Sequence, residues 1–169
     1  DDSMHAAVSR RLRLENDLRR AVERHELELY YQPQLDLATG EVCAVEALVR
    51  WRHPVRGLVL PNAFIPMAEE TGLVLGIGEW VLNEACRQVA QWQRDGVANN
   101  ITPLRVAVNI STRQLQRAGL DAAVRRALSL SGLPAECLEL EITESSVMLD
   151  PLHAQGVLQS LRDLGVLLS

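Results

Sequence analysis

The spacing of apolar residues along this chain switches between a helical and a strand period. Leu14, Leu18, Ala21 and Val22 fall at helical intervals amid many charges, which predicts an amphipathic, largely solvated helix over residues 4–25. From Leu27 the period is two: Leu27, Leu29, Tyr31, Leu35 and Leu37 alternate with Glu28, Tyr30, Gln32, Gln34 and Asp36, the pattern of a half-buried strand. Ala38-Thr39-Gly40 offers a turn, and Val42–Trp51 reads as a second strand returning antiparallel. After a Pro- and Gly-punctuated loop (His53–Pro61), the pattern predicts a short helix over Phe64–Glu70 and a longer one with Ile77, Val81, Ala85, Val89 and Trp92 on one stripe. Gly76-Ile77-Gly78 reads as a loop leading into that helix. It is not a dinucleotide fingerprint, because the third glycine's position is Val81 and no suitable strand precedes it.

The second half repeats one unit. Arg105–Ile110 is a strand, and Ser111 with Gln114 makes a capping box for the next helical stretch. A helix over Leu120–Leu130 stops at Gly132-Leu133-Pro134, a strand follows at Leu138–Thr143, and Asp150-Pro151 opens a helix bearing Val157, Leu158, Leu161 and Leu164. Val166-Leu167-Leu168 begins one more strand. Strands separated by helices of this length indicate β-α units with parallel strands, here behind an antiparallel hairpin.

Composition narrows the function classes. Lys and Arg total 17 against 22 Asp and Glu, a net charge of −5, so no basic field exists to hold long nucleic acid. Aromatics are 4% of residues, so the core is aliphatic, which suits helix-on-sheet layers. Cys43, Cys86 and Cys137 form no C-x-x-C pair and imply neither a disulfide framework nor a zinc site, which fits a reducing cytoplasm. No apolar run approaches the roughly 18 residues that span a bilayer. His5, His25, His53 and His153 lack metal-ligand spacing, and Ser145 and Ser146 lack the G-x-S-x-G elbow of a serine hydrolase.

Parallel strands covered by helices read apolar on both faces, so polar residues within them are informative. Period two puts Glu46, Leu48 and Arg50 on one face of the second strand, Asn109 with Ala107 on one face of the third, and Glu139 and Glu141 on one face of the fourth. Each strand thus points an oxygen donor the same way near its C-terminal end. Two Glu and one Asn resemble part of a Mg²⁺ or Mn²⁺ ligand set. On spacing alone a second reading stands beside this one: Glu46 pairs with Arg50, and Glu139 or Glu141 lies at an exposed strand end.

The string EALVRWRHP, containing Glu46-Ala47-Leu48, resembles the signature of the EAL family of cyclic di-GMP phosphodiesterases. Tyr31-Gln32-Pro33, Pro61-Asn62-Ala63-Phe64-Ile65 with Ala68-Glu69, Val108-Asn109-Ile110-Ser111 and Glu139-Leu140-Glu141-Ile142-Thr143-Glu144 are similar to further family motifs in the family's order. Arg11-Leu12-Arg13-Leu14-Glu15 resembles the connector that follows a GGDEF domain. The resemblance implies a linker helix (residues 1–26) after an upstream GGDEF-like domain and the N-terminal part of an EAL domain over residues 27–169.

The fold so implied is a TIM-like (β/α) barrel with an antiparallel first strand, its site at the C-terminal strand ends. Carried over by motif, Glu46, Asn109 and Glu141 would be catalytic metal ligands for Mg²⁺ or Mn²⁺, and Gln32, Leu48 and Arg50 would contact cyclic di-GMP. The implied reaction is metal-assisted hydrolysis to linear pGpG in bacterial signalling. The alternatives are a non-catalytic cyclic di-GMP receptor or an inactive fragment. The family's next motif, Asp-Asp-Phe-Gly-Thr-Gly, is expected just after Ser169. The 169-residue chain alone is therefore expected to be an N-terminal half barrel, inactive and prone to pairing with a second copy. Otherwise the sequence stops at an active-site loop of a longer chain. A homodimer and a cytoplasmic location, with membrane attachment only through segments outside these residues, complete the expectations.

Overall fold

In the computed structural model, which describes residues 2–97 and 103–169 with the side chains of 2–8 and 10 excepted, the period-two segments become one sheet. Helix α1 (Asp2–Ala21) precedes β1 (Leu27–Leu35) and β2 (Val42–His53). These strands pair antiparallel, with Gln32 opposite Glu46 and Tyr30 opposite Leu48. The turn between them is set by Asp36, whose Oδ1 accepts from the backbone N–H groups of Ala38 (2.8 Å) and Thr39 (3.0 Å). Those amides, Thr39's foremost, hold the Asp36 carboxyl below its ordinary range. Gly40 completes the turn at φ 72°, a conformation open to residues without a Cβ.

From β2 onward the steps to β4, β5 and β6 are parallel crossovers, while β3 pairs antiparallel with β2. α2 (Pro61–Thr71) and α3 (Val74–Arg94) lead to β4 (Arg105–Ile110); α4 (Thr112–Gln116) and α5 (Leu120–Ser131) lead to β5 (Leu138–Ile142); α6 (Glu144–Met148) and α7 (Pro151–Asp163) lead to β6 (Leu167–Leu168). The sheet order is β1-β2-β4-β5-β6, and the short β3 (Gly57–Val59) adds to β2 from within the segment read as a loop. Start and stop signals work as the sequence indicated. Ser111 and Gln114 form a reciprocal capping box, the Asp150 side chain caps α7 with Pro151 in its first turn, and Gly132 ends α5 at φ 74°.

The hydrophobic core lies on the sheet face covered by helices. Val106, Val108, Leu138 and Leu140 are buried there against Ile77, Leu82, Ala85 and Val89 of α3 and Val124 of α5. Trp51, wholly buried, meets Phe64 of α2 edge to face at 5.8 Å, and its indole N–H donates to Glu26 (3.0 Å).

Two further sequence readings change. Gly76-Ile77-Gly78 is not a loop: it lies inside the first turns of α3, where Ile77 is buried in the core. Helix α1 is amphipathic but more than a solvated rod, because Leu18 and Ala21 are fully buried. Asp17 also accepts from His53 Nε2 (3.2 Å), while His53 Nδ1 takes the N–H of Val55 (3.1 Å). Arg11 pairs with Glu70 of α2. Packing of the Leu18/Ala21 stripe, not helix propensity, docks α1 on the domain.

Candidate functional site at the strand ends

The face opposite the core is polar because alternation forces it to be. With Val45, Ala47 and Trp51 turned into the core, Glu46, Leu48 and Arg50 must face the other way. Sheet register then decides which donors meet. Glu46 stands level with Ala107, and Asn109 stands level with Glu141, one side-chain step further along. Asn109 nevertheless reaches back: its Nδ2 donates to Glu46 Oε1 at 2.9 Å. Glu141 flanks Asn109 on the far side. Its carboxyl is pushed above the usual range, first by partial burial and then by the charges of Glu46 and Glu139; the Gln34 side chain opposes this. Three oxygen-bearing side chains from three successive strands thus converge, two of them mutually repelling carboxylates.

The Glu46–Arg50 pair allowed by spacing does not form. Arg50 donates to the carbonyl of Val49 (3.0 Å) and lies over the Tyr30 ring with Cζ 5.4 Å from its centroid. Glu139 instead sits 3.9 Å from Arg105, below the cluster. Gln32 is exposed on β1 across from Glu46. Of the three residues expected to touch substrate, only Leu48 borders the cavity of about 380 Å³ that opens beside Asn109. Its wall is mostly apolar, built from Pro61, Ile65, Ile77, Gly78 and Gln114 along with Leu48. Gln32 and Arg50 lie on the same sheet face, toward β1.

Sequence reasoning missed the contribution of α3 and α4 to this wall. Ile77 was visible only as a core stripe residue and Gln114 only as a cap. Among the described residues no three His, Cys, Asp or Glu side chains converge as a ready metal cage. The donor set is two carboxylates and a carboxamide, hard oxygen chemistry that fits Mg²⁺ or Mn²⁺ and not zinc. The raised Glu141 carboxyl reflects its partial burial first and the neighbouring charges of Glu46 and Glu139 second. No described helix is long and apolar enough to cross a membrane.

A parallel sheet with crossover helices on one face and oxygen donors gathered at the strand C-termini defines a TIM-barrel-like α/β domain, of which this chain forms part. The chain belongs to the EAL domain family, whose model matches residues 15–169, starting inside α1. Among curated proteins it is similar to the bifunctional diguanylate cyclase/cyclic di-GMP phosphodiesterase MucR of Pseudomonas aeruginosa, 45% identical over 166 residues, which cover 98% of this chain and 24% of that protein. Cyclic di-GMP phosphodiesterase NbdA of the same organism is 45% identical over 162 residues, 96% of this chain and 20% of that protein. This chain therefore spans a quarter or less of these relatives' length. A solved PaMucR phosphodiesterase in complex with c-di-GMP superposes with a TM-score of 0.86 at 44% identity, covering 92% of this chain and 62% of that one.

Proposed function

We propose that this chain supplies the first metal- and substrate-binding strands of a cyclic di-GMP phosphodiesterase, which opens the cyclic dinucleotide to linear pGpG. The observation that carries the reading is the convergence of Glu46, Asn109 and Glu141 from three adjacent strands beside the Leu48-lined cavity. Family membership and the names of the relatives support it.

Glu46, Asn109 and Glu141 would hold Mg²⁺ or Mn²⁺, which supplies a more acidic water and charge neutralisation at phosphorus. For this the Asn109 carboxamide must turn about its last torsion, since Nδ2 now faces Glu46 and only Oδ1 is a ligand atom. Leu48 and the apolar wall receive the flat face of a base. Arg50 leaves its Val49 contact to grip a phosphate as a charge-assisted donor, and Gln32 adds an amide on the β1 side. Residues 1–26 form the linker helix from an upstream GGDEF-like domain, residues 27–169 belong to the EAL domain, and the parent protein forms a homodimer in the cytoplasm.

The test is turnover of cyclic di-GMP by the full-length protein with Mg²⁺ or Mn²⁺, followed by chromatography for pGpG. Glu46→Gln and Glu141→Gln should each abolish product. Tight binding without product under either metal would replace the enzyme reading by a receptor. Absence of both binding and turnover would remove cyclic di-GMP from the account.

A further inference from the structure

The glycine pair at the start of α3 is no dinucleotide fingerprint, yet one of its members borders the site. A Cβ built on Gly78 would overlap the Nε2 of Gln114 and fall 2.7 Å from its Oε1, so glycine is what lets this carboxamide lie against the α3 backbone. Gln114 is 8% exposed. The Gln114 Oε1 accepts from both the backbone N–H and the Oγ of Ser111, at 3.0 Å each, while the backbone N–H of Gln114 donates to Ser111 Oγ at 3.3 Å. Ser111 is the residue where the chain leaves β4, two positions after Asn109. Gln114 also stands between two cavities: the one beside Leu48 and Asn109, and a second bordered by Glu79, Arg117 and Gly119.

We propose that Gln114, wedged against Gly78, is a positioning residue: by clamping Ser111 it fixes the exit of β4 and hence the direction in which Asn109 meets Glu46. An ordinary capping box needs no glycine on a neighbouring helix, because its two hydrogen bonds are internal to one turn. Here the cap is locked from outside by α3, which also builds the cavity wall through Ile77 and Gly78. The lock ties the wall that would receive a base to the strand end that carries the amide donor. This inference rests on the phosphodiesterase reading for its consequence, but its geometry is independent of it.

The experiment compares Gln114→Ala, Gly78→Ala and the double variant in the full-length protein. Two readouts are used: the side-chain amide resonances of Asn109 in selectively ¹⁵N-asparagine-labelled, metal-free protein, and Mn²⁺ affinity by electron paramagnetic resonance. Each single variant is expected to move the Asn109 amide signals and to weaken Mn²⁺ binding about tenfold. Because the alanine at 114 vacates the space the new methyl needs, the double variant should be no worse than Gln114→Ala alone. Should Gly78→Ala fail to fold, Gln114→Ala still decides the matter. Unmoved Asn109 signals in Gln114→Ala, even with a lowered melting temperature, would overturn the proposal and reduce Gln114 to core packing. A wild-type protein that binds no Mn²⁺ would count against the phosphodiesterase reading, and the amide spectrum would still judge Gln114.

Discussion

Replacing Asn109 by Asp turns the amide–carboxylate contact at the strand ends into a charge collision. The substituted oxygen would face Glu46 across the present 2.9 Å hydrogen bond, with Glu141 level with it on β5. Two carboxylates relax apart to about 4 Å, where unit charges repel by about 1 kcal/mol in water and about 4 kcal/mol at an effective dielectric constant of 20. Asn109 is exposed and Glu46 half-buried, which places the cost toward the lower figure, at about 1–2 kcal/mol in metal-free protein at pH 7.5 and low salt. Urea unfolding with slopes of roughly 1–3 kcal/mol per molar resolves a loss of that size.

The loss should shrink in high salt and disappear on adding Mg²⁺ or Mn²⁺. Asn109→Ala, which loses the hydrogen bond without adding charge, should lose clearly less at pH 7.5. Equal stability of Asn109→Asp and wild type in metal-free buffer, or a deficit unchanged by high salt, would show that these oxygens do not share a site.

Glu141→Gln should stabilise the metal-free protein at neutral pH. The folded Glu141 carboxyl lies above its unfolded value, so its contribution is fully present below the unfolded pKa and is lost as pH rises through the folded one. Thermal melts across pH 4–8 should therefore show wild-type stability falling where the variant stays flatter, and parallel curves would refute the assignment. Tyr31→Phe should be neutral or stabilising by up to about 1 kcal/mol, since the buried Tyr31 hydroxyl has no partner among the described residues while the ring keeps its edge contact with Trp92 at 4.8 Å. Denaturant unfolding showing a loss larger than about 1 kcal/mol would reveal a hidden partner. A thiol reagent applied to the native protein should modify Cys43 first. Cys86 is fully buried with its thiol pushed up to about 12, and Cys137 is buried and also raised. Mass mapping that finds Cys86 labelled before unfolding would contradict the packing of α3.

Much of this architecture is written locally in the chain. Alternation from Leu27 and from Val42 sufficed for the hairpin, because a strand with one covered face has only one way to turn its apolar set inward. Ser111 with Gln114, Asp150-Pro151 and Gly132 marked helix ends through hydrogen bonds and backbone angles that need no distant partner. Period two also put Glu46, Asn109 and Glu141 on one face before any pairing was known.

Which side chains meet across the sheet was not legible. That Asn109 stands level with Glu141 but bonds Glu46, that Arg50 chooses Tyr30 and Val49 over Glu46, and that Glu139 falls to Arg105 all depend on strand register and side-chain reach. The three residues of β3 were too few to carry a period, and they pair only because β2 runs on to His53. Helix α1 looked solvated because its charges outnumber its apolar stripe, yet Leu18 and Ala21 find a surface that only the folded domain presents. Gly78 looked like loop punctuation, because what it accommodates is a side chain 36 residues away in sequence, counted from 78 to 114. Local patterns in the chain were enough for most of the elements, their faces and the family. The tertiary structure decided which polar groups on those faces touch, because contact between them is set by packing across the sheet, which no short stretch of chain encodes.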